Sequence, residues 1–141
     1  MILAASLNGR MPRALPATRV LVSLCLTVLL AGCVTTLAPP PVSDNSAVVA
    51  LVDGARADAT AGKFGTAAAS IERALRIEPR NAYLWHELAQ IHFQQGDWVQ
   101  TESHAARSNS FAGGNKLLRA ANWRLIAEAR AGRGDDAGAR V

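Results

Sequence analysis

Residues 82–98, which read AYLWHELAQIHFQQGDW, contain the pattern on which the fold depends. Apolar and small side chains recur there at helical spacing up to Gly96, a residue type that commonly ends helices. Four positions of this stretch have a counterpart 34 residues earlier in the chain. The pairs are Leu51 and Trp85, Ala55 and Ala89, Gly62 and Gly96, and Phe64 and Trp98. The chain therefore contains an internal repeat of two helices joined by a glycine turn.

A helix–turn–helix unit of this length resembles the tetratricopeptide repeat. The first unit runs from Val48 to Pro79, and the second opens at Ala82. A third unit starts near Ala120 at a spacing of 38 residues, with the extra residues placed in a lengthened connection at 110–115. We therefore predict an all-α fold of tetratricopeptide-repeat helical hairpins, about two and a half repeats in a right-handed superhelix, with about five helices and a stub.

Individual residues have specific expected roles in this fold. Small side chains let neighbouring helices approach closely, and tryptophans are expected to fill the space between helix pairs. Asn81 is a favourable N-cap, whereas Gly54 occupies the repeat's leucine position and weakens the first helix by about 1 kcal/mol. Asp135 and Asp136 are expected at a helix start, where acidic groups favour the helix dipole. The small residues are Ala55, Ala67, Ala74 and Ala89, and the tryptophans are Trp85 and Trp123.

The N-terminal segment has the order of a secretory signal. Three arginines precede an uncharged apolar run at 20–30, which is shorter than the roughly 20 residues of a membrane-spanning helix. The run ends in LAGC at 30–33, which resembles the lipobox of bacterial lipoproteins. The resemblance implies removal of 1–32 as a signal peptide and lipidation of Cys33 by a diacylglycerol, with fatty-acid chains such as palmitate. Met11 is an alternative start, because it gives the signal a more usual length.

Processing at Cys33 changes the composition of the mature chain. The chain has two cysteines, and Cys25 leaves with the signal, so no thiol remains for a disulfide. Three of the 15 basic residues leave as well, so that 12 basic residues remain beside 11 acidic ones. The high isoelectric point therefore belongs to the signal, and we predict no nucleic-acid partner.

Residues 33–45 are interpreted as a lipidated cysteine with a proline-rich tether, and 46–141 as the repeat domain. Consecutive prolines at 39–41 favour an extended chain of limited length, so the domain stays close to its membrane. Valine rather than aspartate follows Cys33, which favours the outer membrane. We expect a protein that is lipid-anchored to the outer membrane and faces the periplasm.

Catalytic motifs are missing from the sequence. It contains no Gly-x-Ser-x-Gly, Ser-x-x-Lys or phosphate-loop pattern, so we predict no catalytic residues, no cofactor and no small-molecule substrate. His86 and His92 lie on opposite sides of one helix, which argues against a metal site.

A protein-binding surface is the remaining prospect, because the first helices of each hairpin line the concave face of tetratricopeptide arrays. Aromatic side chains beside arginine favour such a contact. Phe93 could instead pack against the next helix, and Arg124 and Glu128 could form only an i,i+4 surface pair. The residues expected to point outward on the concave face are Arg56, Tyr83, His86, Gln90, Phe93, Gln94, Arg124 and Glu128.

Several short sequences together resemble one family. The run IERALRIEPRN at 71–81 is common to many bacterial repeat proteins. Its combination with LWH at 84–86, SNS at 108–110 and NWRLIA at 122–127, in a short chain with a lipobox, resembles the lipoproteins of the LpoP type. The resemblance implies a non-enzymatic activator of a class A penicillin-binding protein, a bifunctional peptidoglycan synthase.

The alternative is a pilotin-like or assembly-scaffold lipoprotein for a secretin or another envelope complex. Pilotins of this kind usually have more repeats, which counts against it. A hydrolase is disfavoured by the missing motifs, and a glycan-binding protein would need exposed aromatic side chains on one face.

Overall fold

The computed structural model describes residues 42–140, and these form five helices. No strand occurs in that part of the chain, and the prediction of an all-α fold is confirmed. None of its helices is long and apolar enough to cross a membrane. The signal peptide, Cys33 and most of the tether lie outside the described residues. The helices are α1 (Ser46–Thr60), α2 (Phe64–Ile77), α3 (Ala82–Gln95), α4 (Trp98–Phe111) and α5 (Lys116–Gly132).

The ends of the helices are determined by short polar residues and glycines. Asn81 caps α3, because its side-chain oxygen accepts the backbone N–H groups of Tyr83 and Leu84 at 2.9 and 3.4 Å. Gly96 ends the same helix at a φ of 78°, a conformation that is strained for other residues. Both predictions are confirmed. Asn45, Asp97 and Asn115 cap α1, α4 and α5 through their side chains in the same way.

Each helix packs against the next one along the chain, and α3 also contacts α5. This is the arrangement of stacked helical hairpins, in which each hairpin contacts its neighbours. The alanines that were predicted to allow close approach are all fully buried, namely Ala55, Ala67, Ala74 and Ala89. The largest fully buried side chains of the first core cluster, between α1, α2 and α3, are Val48, Val52, Ile71, Leu84 and Leu88.

The other flank of α3 packs against α4 and α5. A second core cluster forms there, and Phe93 packs against it. Its members are Ala89, Ala105, Leu125 and Ile126. In α5, Asn122, Ile126 and Ala129 are buried at a distance of 38 residues from the buried Leu84, Leu88 and Ile91 of α3. This burial pattern agrees with the predicted spacing between the second and third units.

The connection before α5 differs from the prediction. Helix α4 continues through Phe111 and α5 begins at Lys116, so only 112–115 form the connection. The third unit therefore starts before Ala120, and the extra residues lengthen its first helix instead of the loop. The cause is the Asn115 cap, whose side chain accepts the N–H of Leu118 and starts the helix early.

The stub that was expected after α5 is a single turn. The side chain of Asp135 accepts the N–H of Gly138 at 2.9 Å, and its carbonyl accepts the N–H of Ala139 at 3.0 Å. Asp135 and Asp136 therefore do not start a helix within the described residues, which corrects that prediction. The turn is held to α5 by Arg130, whose guanidinium donates to the carbonyl of Gly138 at 3.0 Å, and a single turn is too short to propagate as a helix on its own.

Trp123 does not fill the space between helix pairs, contrary to the prediction. It is 47% exposed, because it lies on the face of α5 away from α3 and α4, and no further helix follows within residues 42–140. Trp85, the corresponding residue of α3, is partly buried and its ring stacks on His104 of α4 at a centroid distance of 5.7 Å. The tryptophan position is a packing position only where a following helix covers it.

The folded body begins before α1. Val42 packs against the first core cluster, and its carbonyl accepts the side-chain amide of Asn81 at 2.9 Å. Ser43 donates its hydroxyl to Glu78 at 2.5 Å. The last part of the stretch that was interpreted as tether, residues 42–45, is therefore bound to the connection between α2 and α3.

Replacing Leu84 by alanine is expected to lower the free energy of unfolding by about 2–5 kcal/mol, because the side chain is fully buried and its removal leaves a cavity. Leu117→Ala is the matched control. The same change at a residue that is 86% exposed should alter the free energy by less than about 0.5 kcal/mol. Urea unfolding of residues 34–141, followed by circular dichroism, measures both. Equal losses would contradict the assignment of Leu84 to the core.

Candidate partner-binding surface

A polar cavity of about 330 Å³ lies between α1 and α3 and is lined by several of the predicted residues. Arg56 of α1 forms an ion pair with Glu87 of α3, and this hydrogen bond raises the pKa of the Arg56 guanidinium. Gln90 and Gln94 line the same cavity, one turn apart on α3. The structure thus brings together three of the predicted residues with Glu87, which the sequence did not single out.

His86 belongs to a hydrogen-bonded network between α3, α4 and α5. Its Nδ1 lies 2.6 Å from Oδ1 of Asn122, and its Nε2 lies 3.1 Å from the side-chain nitrogen of Gln90. Asn122 donates its amide to Ser108 at 2.7 Å and to Asn109 at 2.9 Å. All of these bonds are satisfied when His86 carries a proton on Nδ1 and accepts from Gln90 at Nε2.

Sequence reasoning gave no role in this network to Asn122, Ser108 or Asn109, and Asn122 is the residue that connects the others. It is fully buried and occupies the α5 position that corresponds to Leu84 in α3. A polar residue at an apolar position of the repeat is the signal that could have identified it, because a buried amide has to find hydrogen-bond partners.

The remaining predicted residues lie apart from the polar cavity. Tyr83 is 38% exposed and its hydroxyl accepts the side-chain amide of Asn115 at 2.7 Å. Phe93 is partly buried and meets Trp98 edge to face at 5.4 Å, so its ring contributes to packing. Arg124 and Glu128 are exposed and pair with each other at 3.5 Å. The predicted surface therefore contains one connected polar region on α1 and α3 and single exposed groups around it.

The chemistry of this surface is that of hydrogen bonding and charge pairing. Among residues 42–140, no group of three or more His, Cys, Asp or Glu side chains could hold a metal ion. Arg56 and Glu87 are already oriented by their ion pair, and Gln90 by its bond to His86, so these side chains lose little further freedom when they bind. Fold and surface together define a helical-hairpin repeat domain of the tetratricopeptide type.

Comparison with known proteins identifies the family. No protein-family model and no curated protein matches the sequence. Among solved structures, the chain is similar to the globular C-terminal domain of LpoP from P. aeruginosa. The two are 42% identical with a TM-score of 0.66, and the match covers 69% of this chain and 92% of that chain. The chain therefore belongs to the LpoP family, and the resemblance drawn from its short sequences is confirmed.

Replacement of Asn122 by alanine is expected to lower the free energy of unfolding by about 1–3 kcal/mol, because buried partners lose their hydrogen bonds. Gln90→Ala removes only the exposed end of the same network and should cost less than about 0.5 kcal/mol. Chemical unfolding of both variants gives the comparison. A neutral Asn122→Ala variant would show that the network does not hold α5 against α3.

Proposed function

We propose that this protein is a lipoprotein of the outer membrane that binds and activates a bifunctional class A penicillin-binding protein. The observation that supports the proposal is the 42% identity to the LpoP domain over most of that domain. The family resemblance implies an activator of such a synthase, and the globular C-terminal domain of LpoP is the part that this chain shares. The comparisons give no support to the pilotin-like alternative.

The mechanism that we propose is non-enzymatic. The protein would stabilise an active conformation of the synthase by binding it more tightly than the inactive one, and its effect is limited by that difference in affinity. The polar cavity supports this mechanism, because Arg56, Glu87 and Gln90 offer both donors and acceptors at fixed positions. Tyr83 and Arg124 add an exposed aromatic ring and an exposed charge.

The short distance between the lipid anchor and the folded body limits where the partner can bind. Because residues 42–45 are bound to the body, only 34–41 separate it from Cys33. Eight residues span less than about 30 Å even when they are fully extended. The proposed outer-membrane anchor would thus keep the domain near that membrane, and the synthase would have to reach toward it.

Stimulation of the synthase is the direct test. Residues 34–141 are expected to increase the rate of glycan polymerisation or peptide cross-linking by the purified class A penicillin-binding protein of the same organism. Tyr83→Ala and Arg124→Ala should each weaken stimulation, because they remove exposed groups with few internal contacts.

Arg119→Ala serves as the control for Arg124→Ala, since Arg119 is an exposed arginine on another side of α5. If both test variants fold and activate normally, the concave-face assignment is wrong. If the unmodified domain neither binds nor stimulates the synthase, the activator proposal fails and the pilotin-like alternative becomes the first candidate.

Lipidation is tested in cells with labelled palmitate. The full-length protein is expected to incorporate the label and to fractionate with the outer membrane, whereas Cys33→Ser should abolish both. Cys25→Ser is the matched control, because Cys25 belongs to the predicted signal and its loss should leave the label in place. Label that is retained in Cys33→Ser would contradict the assignment of the lipid anchor.

A further inference from the structure

A second surface lies between α2 and α4, on a flank of α3 away from the polar cavity. It is a groove of about 360 Å³ that we name the arginine–aromatic groove, lined by Glu72, Leu75, Arg76, Trp85, Leu88 and His104. Leu75 and Leu88 are buried and form its apolar floor. Trp85 and Leu88 lie more than about 90° around α3 from the side chains of Glu87 and Gln90. The two surfaces are therefore independent.

Guanidinium groups continue this groove along α4. Arg107 lies 5.5 Å from the ring of Trp85 and 5.2 Å from the ring of Phe111, and Arg80 lies 5.8 Å from the ring of Phe111. Stacking on aromatic rings orients a guanidinium group while its N–H donors stay available in the plane. Arg107 is thus held in position without using its hydrogen-bonding capacity.

The three arginines around this groove have no acidic partner within 4.0 Å, a property that they share with Arg73 and Arg119 elsewhere among the described residues. Among residues 42–140, the ion pairs within 4.0 Å involve Arg56, Arg124, Arg130, Arg133 and His92, and none involves Arg76, Arg80 or Arg107. Glu72 is the one carboxylate that lines the groove. Burial and the neighbouring His92 lower the pKa of His104, so at neutral pH its ring adds no charge. The groove therefore combines an apolar floor with an unneutralised cationic rim.

We infer that the arginine–aromatic groove binds a short segment of a protein partner in which one large apolar side chain is flanked by carboxylates. The apolar side chain lies on Leu75 and Leu88 against Trp85, and the carboxylates pair with Arg76 and Arg107. Arginine binds carboxylates through two parallel hydrogen bonds, and arginine and tryptophan are the residues most enriched in energetically dominant contacts. That the synthase supplies this segment rests on the proposed function, whereas the chemistry of the groove does not.

The dimensions of the groove favour an extended segment over a helix. A volume of about 360 Å³ is near the lower end of the range for ligand pockets and suits one or two side chains. A helix would require a longer apolar groove with several anchor positions. Acidic charge in the segment follows from the rim, because a neutral or basic segment would leave three arginines without a partner.

The test uses residues 34–141 labelled with ¹⁵N and ¹³C, which include every described helix and the whole described core. The probes are the capped peptides GDELEDG, GDESEDG and GKKLKKG, which vary the apolar anchor and the charge separately. We expect GDELEDG alone to shift the indole N–H signal of Trp85, which donates to the carbonyl of Pro79 at 3.0 Å, and the methyl signals of Leu88. Arg107→Glu should weaken its binding by about tenfold or more, and Arg119→Glu, which changes the net charge equally, should not.

Several results would overturn the inference. Equal shifts with all three peptides, no shift with any of them, or shifts confined to the polar cavity would each contradict a specific acidic-apolar site. Purified sacculi that shift the Trp85 signal when the peptides do not would make the groove a glycan site instead.

A second arm separates this inference from the proposed function. The purified synthase is titrated with the unmodified domain, Arg107→Glu and Arg119→Glu. A selective loss for Arg107→Glu supports the groove as its docking site. Equal binding by all three overturns that assignment and leaves the activator proposal intact. If the synthase does not bind the unmodified domain, the activator proposal fails and the peptides alone decide the chemistry of the groove.

Discussion

Helix α3 packs against other helices on two of its sides, and the rest of the structure depends on which of its side chains face each side. Leu84, Leu88 and Ile91 point toward α1 and α2 and belong to the first core cluster, which is larger than the second. Toward α4 and α5 the helix presents Ala89, so that the backbones approach closely, and the gaps beside it are closed by Phe93 and by the hydrogen bonds of His86. Stability in the mature chain would come from this packing, since the predicted processing leaves no cysteine for a disulfide.

The helices and their order could be predicted from the sequence, because the periodic pattern and the caps are local properties of the chain. Asn81 and Gly96 act through backbone groups within a few residues, and their roles follow from residue type. Trp123 shows where such reasoning fails, because the same repeat position is a packing site in α3 and an open surface in α5. For Asn122 the sequence reasoning fails for a different reason. Its hydrogen-bond partners come from α3 and α4, and only the tertiary structure brings them together.

The same limit applies to the candidate site. Arg56 and Arg107 are both exposed arginines on helices, and sequence reasoning selected Arg56 for the concave face by its repeat position alone. In the structure, Arg56 is neutralised by Glu87, whereas Arg107 lies over the rings of Trp85 and Phe111 and forms no ion pair within 4.0 Å among the described residues. A carboxylate of another protein would have to share Arg56 with Glu87, whereas it would meet no ion-pair partner at Arg107 among the described residues. Whether an arginine is available to a partner therefore depends on the residues around it in the folded structure, and a sequence motif does not reveal it.

The connection between α2 and α3 contacts both the segment through which the chain enters the body and one end of the arginine–aromatic groove. Glu78 and Asn81 hold the segment through which the chain enters the body, and Pro79 accepts the indole N–H of Trp85 at the groove. Arg80, between them, lies against Phe111 on α4. Four consecutive residues thus fix the entry point of the tether relative to one end of the arginine–aromatic groove. Since hydrogen bonds hold Val42 and Ser43 to this connection, the eight residues 34–41 limit how far the groove can lie from the proposed lipid anchor, and they would limit the reach of a partner in the groove as well.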